Sequence, residues 1–185
     1  MENSTLIIII AVVIAVAAVA WFVLQKRRTE GLKHRFGPEY DRAIKEHGDQ
    51  RKAEAELGAR EKRVEKFRMV TLSEADRGRF ASDWKAAQAR FVDSPKGAIQ
   101  DADNLVGKVM QARGYPMGDF DQRAADVSVD HPRVVDHYRT AHGIALRNQK
   151  EGATTEELRT AMVHYRTLFE DLLETPVAEH TEVRR

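Results

Sequence analysis

The sequence has no cysteine, and this absence excludes several kinds of site. Without a thiol in its 185 residues, the chain has no disulfide scaffold, thiolate zinc site, iron–sulfur cluster or cysteine nucleophile. It also has little net charge, because 30 Lys and Arg residues stand against 29 Asp and Glu residues. That balance argues against a polycationic nucleic-acid binder and against an acidic disordered tail. We therefore expect no nucleic acid among the partners.

The motifs of common enzymes are missing as well. The sequence contains no GxGxxG or GxxxxGK[ST] nucleotide signature, no GxSxG nucleophile elbow and no HExxH zinc motif. It therefore predicts a protein that is not an enzyme, with no catalytic residue, no cofactor and no metal ligand assigned. The twofold excess of Arg over Lys and the abundant Ala indicate GC-rich coding DNA and a bacterial source.

One long hydrophobic run dominates the N-terminal region. Residues 5–24 carry no charge, and as a helix they would span about 30 Å, the thickness of a bilayer core. A transmembrane helix is expected there, with Trp21 and Phe22 in the interfacial aromatic belt. A cleavable signal peptide is the alternative, but the first four residues lack its basic region. Basic residues follow the run, and they are Lys26, Arg27, Arg28, Lys33 and Arg35.

These basic residues predict an orientation. Lys and Arg residues beside a membrane span are concentrated on its cytoplasmic side. The N-terminus (1–4) would therefore lie outside the cell, and everything after the anchor would lie in the cytoplasm. The predicted location is therefore the inner or plasma membrane of the cell, crossed once. The basic juxtamembrane segment (25–37) would contact anionic lipid headgroups.

A highly charged segment, residues 38–70, comes next. Gly37-Pro38 is typical of a helix start, and apolar residues are sparse after it. The segment predicts a long helical stalk, which is either a solvated single helix or a short coiled coil that makes a homodimer. Leu57 and Val64 are one heptad apart, but the pattern does not continue for three heptads.

Residues 71–174 change to short amphipathic helices with clear ends. Ser73, Ser94, Asp119 and Thr154 are candidate N-caps, and Gly114 is a candidate C-terminal stop. The pattern predicts a small bundle of about five helices that folds by itself, followed by a flexible tail over 175–185. The predicted fold class is thus all-α: a transmembrane helix, a long charged stalk and a helical bundle.

Histidines in the last two predicted helices are the only plausible ligand set. A speculative ligand site comprises His137, Tyr138, His142 and His164. Tyr138 and His142 are four residues apart and share a helix face, whereas His137 and His142 are poorly spaced to bind one ion together. A structural or surface role for these histidines is the alternative.

Several strings along the chain together resemble an uncharacterised group of bacterial single-pass membrane proteins with a C-terminal helical domain. The strings are GLKHRFGPEYDRA (31–43), ARFVDSP (89–95), VMQARGYP (109–116), FDQRAADVSVDHP (120–132), YRTAHGIA (138–145) and ATTEELRTAMVHYRTLFEDLL (153–173). The resemblance covers nearly the whole chain after the hydrophobic run. It implies the architecture and brings no activity or cofactor.

The sequence therefore predicts a membrane-anchored interaction or scaffold module. Its expected partners are the lipid bilayer and another protein. A membrane-tethered sensor that binds a small molecule, a metal or haem is the first alternative, and an enzyme of unknown class is the second.

Overall fold

The structure is a computed structural model that describes the backbone of residues 2–174 and the side chains of residues 12–174. Over this range the chain forms eight helices and no strand, which confirms the all-α fold class. In chain order the helices are α1 (Glu2–Phe36), α2 (Pro38–His47), α3 (Gln50–Val64), α4 (Glu74–Arg90), α5 (Pro95–Ala112), α6 (Phe120–Asp130), α7 (Val135–Lys150) and α8 (Thr155–Glu174). The predicted N-terminal segment 1–4 and the predicted tail 175–185 lie outside the residues whose side chains are described.

The chain divides into two compact units, residues 1–58 and residues 59–185. In the first unit, glycines with positive φ end the first two helices. Gly37 has φ 47° and precedes Pro38 at the first position of α2, as the sequence predicts. Gly48 has φ 67° and closes α2 with a hydrogen bond from its N–H to the Ile44 carbonyl.

A buried carboxylate joins the helices of the first unit. Glu54 is 5% exposed, and one of its oxygens accepts hydrogen bonds from Thr29 Oγ1 at 2.9 Å, Tyr40 OH at 2.8 Å and Gln50 Nε2 at 2.8 Å. Burial by itself raises a carboxyl pKa, but these three donors outweigh it and hold the pKa of Glu54 below its usual value. Burial, and then Glu54, raise the pKa of Tyr40 to about 12.

The transmembrane prediction does not agree with the structure. No helix within the described residues is both long enough and apolar enough to cross a bilayer. The described apolar run in α1 extends from Val12 to Leu24, about 20 Å of helix, before Lys26 begins a basic stretch. A bilayer core is about 30 Å thick, and residues 5–11 of the predicted span lie outside the described side chains. On this finding the predicted membrane-spanning helix is wrong, and so is the single-pass location with its outside N-terminus and cytoplasmic C-terminal domain.

The residues predicted to flank a membrane segment lie on the surface of α1. Trp21 and Phe22 are 62% and 65% exposed. Lys26, Arg27 and Arg28 are exposed as well. Further along, the Lys33 ammonium lies 5.6 Å from the centre of the Tyr40 ring, and Arg35 is half-buried.

The predicted long stalk consists of two helices rather than one. α2 and α3 are separated at Gly48 and Asp49, and the hydrogen bond from Thr29 to Glu54 brings α3 back against α1. Because a left-handed glycine breaks the helix there, the segment cannot extend as a single spacer.

The two residues of the predicted dimer seam, Leu57 and Val64, are buried. Leu57 and Val64 are 0% and 5% exposed within the single chain. A coiled coil needs these side chains at its surface, so the structure leaves no open seam at this heptad pair for a second copy.

The second unit contains the predicted bundle of helices. Five helices, α4 to α8, occupy 71–174, and α8 packs against both α5 and α7. At the centre, Trp84 of α4 stacks on Phe169 of α8 with ring centres 4.6 Å apart. Since both side chains are at most 5% exposed, they form part of one continuous apolar core.

Helix caps explain where several of these helices begin. Ser73 Oγ accepts from the Asp76 N–H at 3.1 Å, and Asp119 accepts from the Gln122 N–H at 2.8 Å. At α8, the Glu157 N–H donates to Thr154 Oγ1 at 3.2 Å while the Thr154 N–H donates to Glu157 at 2.9 Å. This reciprocal pair is a capping box, and it stands at the predicted N-cap Thr154.

Candidate functional site

The four residues of the predicted ligand site do not form one group. His137 faces His164, whereas Tyr138 and His142 lie on another side of α7, toward α6 and α5. The helical spacing explains the division, because positions 138 and 142 share a face that position 137 does not.

The first group is a histidine pair, His137 and His164. Their Nδ1 atoms are 2.7 Å apart and their ring centres 4.9 Å apart, and both side chains are half-buried. Only one proton fits between two nitrogens at this distance, so one Nδ1–H donates and the other Nδ1 accepts. Burial and the neighbouring His137 lower the pKa of His164, which favours its neutral form.

The second group is an inner polar cluster of Asp103, Phe120, His142 and Tyr165. The Tyr165 hydroxyl donates to Asp103 Oδ1 at 2.8 Å, and His142 Nδ1 lies 3.7 Å from the same oxygen. The His142 ring stacks on Phe120 with centres 3.7 Å apart and planes 7° apart. Its Nδ1 is buried and has no partner within hydrogen-bond distance, so ring stacking and the nearby Asp103 carboxylate together hold this ring.

Electrostatics within the inner polar cluster follow from burial and charge. Burial would raise the pKa of Asp103, but His142 and the hydrogen bond from Tyr165 outweigh it and hold that pKa below its usual value. Burial, reinforced by Asp103, raises the pKa of Tyr165, and burial raises that of Tyr138 to about 12. Asp103 is therefore ionised and Tyr165 is a hydrogen-bond donor at neutral pH.

Asp103 is absent from the predicted site residues, although the sequence holds a signal for it. It lies four residues after Ile99 and three before Val106, both of which are buried on α5. A carboxylate at a core-facing helical position requires a buried donor, and Tyr165 provides one. The spacing alone could not identify that donor, which lies 62 residues away.

A third polar contact, also absent from the predicted residues, joins His131 and Asp171. His131 Nδ1 is hydrogen-bonded to Asp171, and His131 Nε2 is buried without a partner. Ser128, three residues before His131, donates its hydroxyl proton to the Ala125 carbonyl at 2.6 Å. The contact anchors the end of α6 to α8.

Most of the exposed large hydrophobic side chains in the described part of the chain lie in the apolar segment of α1, defined here as Val12–Leu24. Its nine large hydrophobic side chains are 42–65% exposed. They are Val12, Val13, Ile14, Val16, Val19, Trp21, Phe22, Val23 and Leu24. Consecutive residues point in all directions around a helix, so the segment is apolar on every side. Exposed Lys26, Arg27 and Arg28 follow it directly.

Within the part of the chain that the structure describes, no three His, Cys, Asp or Glu side chains converge as a metal site. No protein family, curated protein or solved structure matches the chain. The resemblance to a group of uncharacterised bacterial proteins stays a prediction.

Proposed function

We propose that the protein is a helical interaction module whose apolar segment of α1 docks into an apolar groove of a partner protein. The exposure of the nine large hydrophobic side chains from Val12 to Leu24 carries this proposal. Soluble surfaces rarely hold a contiguous apolar area of this kind, and a helix that is apolar on all sides is normally enclosed.

The charge next to the segment defines the partner further. Lys26 and Arg27 are exposed two and three residues beyond Leu24, and no acidic residue lies between Leu24 and Arg28. A groove with acidic residues at its rim would satisfy both the apolar contacts and these cations. This corresponds to recognition of a helix in a groove, in which apolar anchors supply affinity and rim charges supply orientation and association rate.

Site-specific crosslinking in cells tests the proposal. A photoreactive amino acid at position 19 should capture one protein reproducibly, whereas the same amino acid at Val92, which is 84% exposed on the second unit, should not. Capture should weaken with Val16→Asp, which removes an apolar anchor. It should also become less salt-sensitive with Lys26→Glu and Arg27→Glu, since those cations pair with the acidic rim.

The same experiment distinguishes other occupants. Crosslinks from position 19 to lipid, or to a second copy of this chain, would overturn the proposal of a groove in a different protein. Equal capture at positions 19 and 92 would show that the contact is nonspecific.

A further inference from the structure

The histidine pair is a hydrogen bond between two imidazole rings that lie on different helices. His137 lies in the first turn of α7 and His164 in the middle of α8, and the packing of these helices brings the rings together across 27 residues. Their Nδ1 atoms are 2.7 Å apart while their ring centres are 4.9 Å apart, so the two nitrogens point almost head-on at each other. The contact has room for one hydrogen atom and for no other atom.

The number of protons on the pair decides whether this contact attracts or repels. With both rings neutral, the Nδ1–H of one ring donates to the lone pair of the other Nδ1. One added proton leaves that hydrogen bond in place, because the charged ring donates and the neutral ring accepts. A second added proton puts an N–H on both facing nitrogens, and two positive rings then meet where one hydrogen atom fits.

We propose that His137 and His164 form a pH-sensitive clasp between α7 and α8, closed while the two rings share one Nδ1 proton and released when acid protonates both. The clasp joins two helices that follow each other in the chain and pack side by side. Both rings are half-buried, so protons reach them from solvent while the packed helices hold them face to face.

Charged groups beside the pair do not compensate for a second proton. Next to His137 on α7, the side chain of Asp136 is 74% exposed and lies 3.6 Å from the Arg139 guanidinium. Arg133, four residues before His137, adds another positive charge at the start of α7. The carboxylate nearest in sequence is therefore turned to solvent and already paired.

The charged groups of α5 and α6 that face α7 are directed elsewhere. Asp103 of α5 accepts a hydrogen bond from Tyr165, and Arg123 of α6 interacts with Tyr138. These groups belong to the side of α7 that carries Tyr138, which is not the side that carries His137.

Neutral side chains occupy the helix positions next to the pair. Thr140, Thr160 and Thr167 lie one turn from the two histidines, and each hydroxyl donates to a carbonyl of its own helix. Burial and then His137 lower the pKa of His164, and no carboxylate of the described residues contributes to this shift. The second proton is therefore bound less readily than by a free histidine.

Acid should consequently destabilise the folded chain. In the unfolded chain both rings take up protons near pH 6.5, whereas the folded pair resists the second proton. The stability that the clasp contributes is present above about pH 6.5 and is lost as the pH falls through the lower folded value. This range lies above the one in which Asp103 changes its charge.

Urea unfolding of the full chain between about pH 4.5 and 7.5, with the histidine ring nitrogens followed by NMR, tests the clasp. His137→Asn keeps an amide that can hydrogen-bond either protonation state of His164, but it removes one of the two titrating rings. Over this range, the folding equilibrium constant of wild type should fall at least about threefold more than that of His137→Asn. In the wild-type spectra the pair should titrate in two steps, and His137→Asn should raise the pKa of His164 toward its ordinary value.

Two further variants control the experiment. His47→Ala removes an exposed histidine of α2 and should keep the pH profile of wild type. His164→Asn is the reciprocal change and should flatten the profile as His137→Asn does. It also provides the measurement if His137→Asn does not fold.

Three outcomes would overturn the proposal. If the two wild-type rings titrated independently near pH 6.5, the head-on contact would not exist in solution. If both Asn variants kept the wild-type profile, or if His47→Ala flattened it equally, the acid sensitivity would arise elsewhere. None of these outcomes depends on whether the apolar segment of α1 docks a partner.

Discussion

Individual residues in the second unit are fixed by their immediate surroundings, and Gly114 is the sharpest example. Its φ is 95°, and a Cβ there would come within 2.3 Å of the Arg68 carbonyl oxygen. The adjacent Arg113 carbonyl accepts a hydrogen bond from the Val70 N–H at 2.8 Å, which holds these two backbone segments together. The sequence predicts a helix stop at Gly114, but only the fold shows that another segment occupies the space of a side chain.

Gly114→Ala should lower the free energy of unfolding by about 1–3 kcal/mol, because it combines backbone strain with a steric clash. Gly143→Ala is the matched control, since Gly143 lies within α7 with nothing near its missing Cβ. That change should be neutral or stabilise by up to about 1 kcal/mol. Urea denaturation of both variants measures the difference, and equal stabilities would contradict the close approach of Arg68.

Asp103 should make stability depend on pH. Because its pKa is lowered in the folded state, the ionised carboxylate contributes stability above the unfolded pKa, about 3.9, and loses it as pH falls through the lower folded value. Asp103→Asn should therefore be less stable than wild type at neutral pH, and the gap should narrow below about pH 4.

The partner variant checks the cause of this pH dependence. Tyr165→Phe removes the donor to Asp103, so it should destabilise the chain at neutral pH by about 1–3 kcal/mol and weaken its acid sensitivity. Unfolding followed between pH 3 and 7 gives both results. If the difference in the free energy of unfolding between Asp103→Asn and wild type were constant over this range, the proposed ionisation of Asp103 would be excluded.

At the scale of the helix, the two candidate N-cap residues Thr154 and Ser94 behave differently. Thr154 makes the full reciprocal cap of α8, whereas Ser94 occupies the N-cap of α5 without a side-chain hydrogen bond to the backbone. Both are predicted from sequence by residue type and spacing. The structure separates them because Pro95 already sets the start of α5 and removes an N–H that would need a partner.

Thr154→Ala should therefore lower the free energy of unfolding by about 1 kcal/mol. Ser94→Ala should change it by less than about 0.5 kcal/mol. Thermal unfolding of the two variants beside the wild type provides the measurement. A larger loss from Ser94→Ala would mean that its hydroxyl supports α5 in a way that its hydrogen bonds do not show.

At one point of the core, Trp84 of α4 stacks on Phe169 of α8. Trp84→Ala would remove a side chain that is 5% exposed and stacked on Phe169, so we expect a loss of about 3–5 kcal/mol. Val92→Ala, at 84% exposure just beyond the same helix, should change stability by less than about 0.5 kcal/mol. Chemical denaturation followed by helical circular dichroism would contradict this packing if the two losses were similar.

For the whole molecule, the boundary of the second unit lies earlier than the sequence pattern indicates. The amphipathic pattern begins near residue 71, but the structure adds residues 59–70 to the unit. Arg63 forms an ion pair with Asp126 and donates to it from Nε at 2.8 Å, and Asp126 is 2% exposed. Sequence could not show this pairing, since 63 residues separate the partners.

A fragment of residues 59–185 should fold cooperatively, whereas a fragment of residues 71–185 should melt at a lower temperature. The shorter fragment lacks Arg63, the cation that pairs with the Asp126 carboxylate, and removing one partner of a buried ion pair is strongly unfavourable. Asp126→Asn in the shorter fragment should recover part of the loss. Identical melting of the two fragments would place residues 59–70 outside the folded unit.

The sequence by itself determined the helical class and most helix ends, because these depend on contacts within a few residues. Pro38 at a helix start and Thr154 at an N-cap both act locally, and their predicted positions agree with the structure. Twenty uncharged residues also predicted a membrane span, which the described helices do not support. Composition records hydrophobicity alone and says nothing of what lies around a helix.

Only the tertiary structure decided which distant polar groups meet. The approach of His137 to His164, of Asp103 to Tyr165 and of Glu54 to Thr29 each joins residues at least 25 positions apart. Side chains on one helix face are predictable from the helical period, but their partners depend on which helices pack and at what register. The predicted stalk also divides in the structure, because the left-handed conformation of Gly48 ends α2, and Glu54 of α3 then accepts a hydrogen bond from Thr29 of α1.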